Sequence, residues 1–335
     1  MPDLHELHRH ARAIFNHALN SVDPHPTVKN ALLDLRADTP IYSIAIGKAA
    51  ISMALGLDDA LGDKLSAGVI VSTSLHQSTR WQSFTGGHPL PNEDSLAAAR
   101  AAFSLLDHAN DEQATVIFLI SGGGSAMIEW PISDDISLAD LRAANQDLVS
   151  CGARIAEINS VRRAFSAVKG GGLARRAPRA NMITLIVSDT NPGDEASVAS
   201  GPTLNAPADA PNALDVVEHY HLETVLPDSI MKAVRRPQHS SPVNGSHKLL
   251  LDNQSALNAA SQKARELGFT CATLDHVCEQ PIQEGCELLL ESVRDAQEPF
   301  CSISGGEFSC SVRGDGRGGR NLETALRCAI SINTN

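Results

Sequence analysis

Four short stretches carry residue types suited to holding and moving an anionic group. They are Gly47-Lys48, Ser121-Gly122-Gly123-Gly124-Ser125, Ser188-Asp189, and the late run Arg313-Gly-Asp-Gly-Arg317-Gly-Gly-Arg320-Asn321. The first three each follow an apolar, β-branched segment that reads as a buried strand. Consecutive glycines leave a backbone with no Cβ to keep a ligand away, and free N–H groups beside a cation make an anion cradle. Lys48 supplies that cation at the start of a helix, and Ser121 and Ser125 add hydroxyls. Asp189 suits Mg²⁺ or the acceptance of a hydroxyl proton. Arg162, Arg163 and Lys169, with Asn159 before them and Gly170-Gly171-Gly172 after, form a second polar group readable equally as a basic ligand wall or a solvated helix face. The arginines of the last run suit phosphoryl oxygens or a carboxylate, and Glu307 could orient one of them. The plainer alternatives are a strand-to-loop turn, a solvated lysine and an Asx-turn.

Other motifs are missing. Gly314, Gly316 and Gly319 fit G-x-G-x-x-G, but the chain ends before a strand and a ribose-binding acid could follow. No Walker A sequence, kinase signature set or G-x-S-x-G elbow occurs. A net charge of −12 argues against nucleic acid or an anionic membrane as a general partner. No apolar run approaches the ~20 residues of a membrane span, and the first ten residues lack a signal-peptide core. Seven cysteines without a C-x-x-C pair read as reduced cytoplasmic thiols, with zinc disfavoured.

The elements that must position these residues follow from periodicity. The chain is long enough for two domains. Strand 40–46, a helix through about residue 61 and strand 67–73 form a β-α-β unit, so a parallel sheet is expected. Asn92 caps a helix over 93–108, and strand 115–120 opens into the glycine loop. A seven-residue apolar seam through Leu141, Leu148 and Ile155 predicts one long helix starting at Ser137. Strand 181–187 ends at Ser188-Asp189. Proline, histidine and serine enrichment places a domain boundary near 240. Beyond it come strand 248–251, helix 255–267, strand 270–274, helix 281–294, strand 300–304, strand 308–313 and helix 322–330.

Taken in order, these residues resemble the type II glycerate kinase family, known also for its MOFRL domain. The marks are Ile46-Gly-Lys-Ala-Ala50, His88-Pro-Leu-Pro91, Ser121–Ala126, Glu157-Ile-Asn-Ser-Val-Arg162, Lys169-Gly-Gly-Gly-Leu-Ala174, Ser188-Asp189, Ala199-Ser-Gly-Pro-Thr203, Gly305-Gly-Glu307 and Gly316–Asn321. The resemblance implies a Rossmann-like, three-layer α/β domain over 1–240, with residues 1–38 as a helical lead-in. A smaller MOFRL-type α/β domain would fill 241–335, with the active cleft between the two. It implies ATP- and Mg²⁺-dependent phosphorylation of D-glycerate to 2-phosphoglycerate, with a homodimer as one admissible assembly. The family's functional lysine maps onto Lys48 and its functional arginine onto Arg320. Asp189 is the third catalytic candidate and the metal ligand. Gly47, Ser121, Gly122, Gly123, Gly124, Ser125, Asn159, Arg162, Lys169, Ser188, Glu307, Arg317 and Asn321 are the binding candidates. Two departures stand out. The family's Ser-Asp-Val-Pro-Gly-Asp reads Ser188-Asp-Thr-Asn-Pro-Gly-Asp194 here, and the family continues past the last helix into a Thr-Asp-Gly segment, so a truncated second domain is expected. The competing functions are an inactive or ligand-binding-only member and a hydroxypyruvate reductase.

Overall fold

Strand β1 (Ile41–Ile46) is buried throughout, and its side chains alternate between two sheet faces. Tyr42, Ile44 and Ile46 join one apolar cluster; Ile41 and Ala45 join another. The same split runs through β2 (Leu65–Ser72) and β4 (Thr115–Ser121). Helix α4 (Glu93–Asp111) covers the first face through Ala98, Ala102 and Leu106. Helices α2 (Pro24–Leu32) and α3 (Ala50–Leu61) cover the second through Val28, Met53 and Leu57. Two covered faces need continuous apolar strands, which is the pattern the sequence carries. The fold is therefore α/β in three layers.

The computed structural model describes residues 3–190, 193–237, 241–274, 280–294, 296–297, 299–310 and 318–334. Adding β3 (Trp81–Thr85), β5 (Asn181–Val187) and β6 (Ser246–Leu251), six parallel strands lie in the order β3-β2-β1-β4-β5-β6. The chain winds outward one way from β1 and the other way from β4. Their shared boundary is the point where the strand order reverses. Open α/β sheets bind ligands in the crevice outside the strand ends at such a point. Ile46 pairs with Ile120 across it, so Gly47-Lys48 and the glycine loop leave adjacent strand ends.

Several details differ from the sequence reading. Nothing in the local pattern announces β3. It is a five-residue edge strand with polar Gln82 and Ser83. Its Trp81 ring lies where a Cβ on Gly68 would come within 2.3 Å, so Gly68 makes its room. The long helix is two helices, α5 (Leu138–Ser150) and α6 (Ile155–Phe165). Gly152 at φ +87° stops the first, and Glu157 caps the free Arg154 N–H at the start of the second (2.7 Å). With α8 (Ala213–His219) and α9 (Asp228–Val234), these helices enclose a separate apolar cluster, and the short α7 (Gly172–Arg175) lies between α6 and α8 in the chain.

The domain boundary also shifts. The chain divides into one compact unit of Pro24–Leu251 and a second made of Met1–Asp23 with Asp252–Asn335. Strand β6, expected beyond the boundary, completes the large sheet because its backbone pairs with β5. Helix α1 (Leu4–Ser21), expected as a lead-in to the first domain, sends Ile14 and Ala18 against Leu257, Ala260 and Ala264 of α10 (Asn253–Glu266). Periodicity shows that α1 has an apolar face, not which partner covers it. The second unit also holds parallel strands β7 (Thr270–Leu274) and β8 (Phe300–Ser304), with α11 (Ile282–Arg294) and α12 (Arg320–Thr334). Of the strand expected over 308–313, the described residues form a single bridge, Ser309 to Pro281, and residues 311–313 lie outside them.

Candidate active site

The turn after β1 and the loop after β4 are built as one object. Gly47 sits at φ +113°, and a Cβ there would meet the Ser121 carbonyl at 2.3 Å. Ser121 is buried. Its Oγ donates to Ile46 O (3.1 Å) and accepts from Ala49 N (3.1 Å), while Lys48 N donates to Gly122 O (3.0 Å). Ser121 therefore stitches the two strand ends together with the hydroxyl that the sequence reading offered to a ligand.

Each glycine of the loop has its own neighbour. A Cβ on Gly122 would lie 1.9 Å from Asp189 Oδ2; one on Gly123 would lie 2.8 Å from Lys48 Cε. One on Gly124 would meet Ala199 Cβ and Ile46 Cγ2, both at 2.8 Å. The three glycines thus let an exposed acid, an exposed lysine and the loop floor converge on bare backbone. The N–H groups of Gly122, Gly123 and Gly124 reach no protein acceptor in hydrogen-bonding geometry among the described residues. Free N–H groups beside a cation at the sheet's switch point are the makings of a phosphate cradle.

Ser125 and Asn159 meet behind the loop. Ser200 Oγ donates to Asn159 Oδ1 (2.9 Å) and lies 2.9 Å from Ser125 Oγ. A hydroxyl has one proton, so Ser125 donates to Ser200 and keeps lone pairs rather than a donor for any ligand. Ala199, Ser200 and Gly201 run at φ +52°, +61° and +63°. This left-handed run, costly for the two non-glycine residues, aims the Ser200 and Gly201 carbonyls at the Gly170 and Gly171 N–H groups (3.1 and 2.7 Å). Ser188 Oγ is taken up locally, 2.8 Å from Thr190 Oγ1.

The basic wall lies mostly inside the protein. Lys169 is fully enclosed and ion-paired with buried Glu129, which also accepts from Ser166 Oγ and from Trp130 N (3.0 Å). Burial pushes the Lys169 pKa down, and Glu129 opposes the shift. Arg162 is buried as well, its Nε donating to Asn145 Oδ1 (2.8 Å). Burial lowers its pKa, with Glu129 again opposing. Glu129 and Asn145 escape the sequence reading, and Ser200 enters it only within the Ala199–Thr203 motif, with no site role of its own. The available signal is a lone acid, Glu129, directly after the apolar Ala126-Met-Ile128.

The second unit holds the remaining candidates. Arg320 Nη1 stands 3.9 Å from Glu307 Oε2, both half-exposed, which is an ion pair without a hydrogen bond. Asn321 lines a cavity of about 450 Å³ with Gly305, Gly306 and Thr324. Arg317 lies outside the described residues. Among the described residues no group of three or more His, Cys, Asp or Glu side chains could hold a metal ion. Asp189 fits Mg²⁺ only as one ligand of an ion held mainly by phosphate oxygens, the usual way this cation is bound.

Residues 10–235 match a family model described as a domain of unknown function, DUF4147. D-glycerate 2-kinase of Thermotoga maritima is 33% identical to this chain, the match covering 99% of this chain and 81% of that protein. The chain belongs to the glycerate 2-kinase family. Glycerate 2-kinase of Pyrococcus horikoshii is 30% identical, over 94% of this chain and 77% of the relative. The crystal structure of a T. maritima glycerate kinase superposes with a TM-score of 0.81 at 31% identity, covering 97% of this chain and 80% of that one. A relative from Agrobacterium vitis, 34% identical over 96% of this chain and 75% of its own length, carries a provisional hydroxypyruvate reductase name.

Proposed function

We propose that this chain transfers the γ-phosphoryl group of ATP to a hydroxyl of D-glycerate, giving 2-phosphoglycerate. The observation that carries the reading is the convergence of Lys48 and Asp189 on the bare backbone of Gly122 and Gly123, at the switch point of the sheet, in a chain of this family. In this reading the N–H groups of Gly122–Gly124 bind phosphate oxygens, and Lys48 stabilises negative charge on the transferring group. Asp189 orients the attacking hydroxyl or takes one position on Mg²⁺. Mg²⁺, when bound with the triphosphate, supplies charge neutralisation. Positioning and electrostatics carry most of the catalysis in phosphoryl transfer. For Arg320, Asn321, Arg317 and Glu307 the support is the family motif.

The direct test couples ADP formation to D-glycerate, with product position read by phosphorus NMR. Glycerate-dependent ADP release is the expected result; its absence in well-folded protein sinks the proposal. The A. vitis relative's name makes a second reading worth measuring. NADH oxidation driven by hydroxypyruvate, without kinase turnover, would install the reductase in its place.

Two loop substitutions separate chemistry from packing. In Gly122→Ala the clash is with the far end of an exposed carboxylate, which can swing away. We expect stability to change by less than about 1 kcal/mol while turnover falls at least about tenfold. In Gly124→Ala the added methyl meets Ala199 and Ile46, which have nowhere to go. We expect a loss of about 1–3 kcal/mol in a urea titration. Equal stability losses in the two variants would contradict the loop geometry.

A further inference from the structure

Six of the chain's seven cysteines lie at or beyond residue 271. Two pairs stand out among the described residues. Cys271 and Cys301 are register partners on β7 and β8. Cys286 of α11 and Cys328 of α12 meet at an apolar cluster built on Ile282 and Phe308. Gly285 makes room for the Phe308 ring, which lies where a Cβ would come within 2.5 Å of it. Cys286 Sγ donates to Thr324 O (3.8 Å), and Thr324 stands one helical turn before Cys328. A helical side chain covers the turn N-terminal to its own Cα, so the Cys328 thiol lies against that same turn. Burial pushes the Cys286 pKa up to about 11, and the neighbouring Cys328 thiol adds to the shift.

The pairs differ in what they can become. A disulfide needs Cβ atoms about 3.8 Å apart. Hydrogen-bonded strands hold register partners about 4.8 Å apart, with their side chains side by side on one face. The ladder therefore keeps Cys271 and Cys301 too far apart to bridge without bending the strands. No backbone hydrogen bond joins α11 to α12 among the described residues, so repacking of side chains can bring their thiols to bonding distance. Cys286 and Cys328 also differ in access. Cys286 is buried, whereas Cys328 is half-buried and lines the cavity of about 450 Å³ that holds Asn321 and Thr324. A buried thiol is inert toward solutes, and one on a cavity wall can react.

We propose that Cys286 and Cys328 form a reversible disulfide that ties α11 to α12. The oxidant is a low-molecular-weight disulfide. The Cys328 thiolate attacks one of its sulfurs, an S–S bond forms to Cys328, and the other half leaves as a thiolate. The Cys286 thiolate then attacks the Cys328 sulfur and expels the second half. Two protein thiols are oxidised to one disulfide, the small disulfide is reduced to two thiols, and the protons of the protein thiols pass to the two leaving groups. Helix α12 opens with Arg320 and Asn321, so the bond fixes the helix that carries the family's late motif.

The experiment treats the full, folded chain with oxidised glutathione, blocks the remaining thiols with iodoacetamide and maps the linked peptides by mass spectrometry. The expected product is a peptide pair joined through Cys286 and Cys328, returned to free thiols by dithiothreitol. In Cys286→Ala the reaction should stop at a glutathione adduct on Cys328. In Cys328→Ser neither that adduct nor the bridge should form, and Cys286 should stay free. No reaction at Cys328 in the parent, or an adduct there that never closes, overturns the proposal. So do cross-links that run instead through Cys310, which packs on the same Phe308, or between Cys271 and Cys301. Should Cys286→Ala fail to fold, Cys328→Ser decides with the parent, because Cys328 is only half-buried. The readout is covalent, so it stands whether or not the chain proves to be a glycerate kinase.

Discussion

Lys169→Met should destabilise the chain by about 3–5 kcal/mol, the cost of leaving one partner of a buried ion pair behind. Lys169 and Glu129 each keep about 1% of their side-chain surface exposed, so neither can be rescued by water. Removing the lysine strands Glu129 beside Ser166 and the Trp130 N–H, which solvate part of a carboxylate but do not neutralise it. Arg162 acts on the same acid electrostatically and gives partial relief. The double variant Lys169→Met, Glu129→Gln has no buried charge to strand. It should recover a large part of the loss, in the non-additive manner of contacting groups. Urea titrations of the three proteins read this as midpoints with an unchanged slope. A single variant within about 1 kcal/mol of the parent would mean that water reaches the pair.

The pair also bears on function, without contact to any ligand. Glu129 lies four residues past Ser125, and Lys169 directly precedes Gly170, whose N–H holds the Ser200 carbonyl. Ser200 in turn carries the hydrogen bonds to Ser125 and Asn159. The ion pair thus ties the exit of the glycine loop to the segment that braces it. Lys169 belongs to the loop's foundation.

This is where sequence reading reached its limit. The parallel sheet and the two strand-end motifs were legible, because buried parallel strands are continuous apolar runs and glycine after such a run restricts what can follow. The positions of Lys48 and Asp189 beside the loop were legible for the same reason: each stands two residues past a strand end. Lys169 and Arg162 carry the same residue types and an equally suggestive glycine neighbourhood, yet they face inward. A charged residue announces its chemistry but not its direction, and the acid that decides it, Glu129, sits 40 residues away in sequence from Lys169. Ser121 and Ser125 show the same ambiguity in neutral form, since a hydroxyl that flanks a glycine loop can serve the loop as readily as a ligand. The reassignment of α1 and β6 has a different origin. Both elements were visible, but pairing over more than 200 residues, as between α1 and α10, leaves no local trace.

Lys48→Met is the substitution expected to cost most activity. Methionine keeps an unbranched apolar stem to lie over Gly123, where the lysine's Cγ, Cδ and Cε now pack, so what is lost is the charge. Lys48 is exposed and has no ion-pair partner among the described residues, so the stability should stay within about 0.5 kcal/mol of the parent. Removing one preorganised group aimed at developing charge typically lowers kcat by about 10²–10³-fold, and a full positive charge on a transferring phosphoryl group lies at the upper end of that range. The split between kcat and KM then assigns its role. A loss in kcat with nucleotide affinity nearly intact places the charge on the transition state; a rise in KM alone makes Lys48 a binding residue for the ground state. Gly123 sharpens the test, because its backbone at φ +79° sits directly under the lysine stem. Gly123→Ala both strains that backbone and displaces the lysine. If the stem's position over the loop is what delivers the charge, this variant should reproduce the activity loss of Lys48→Met with the lysine still present.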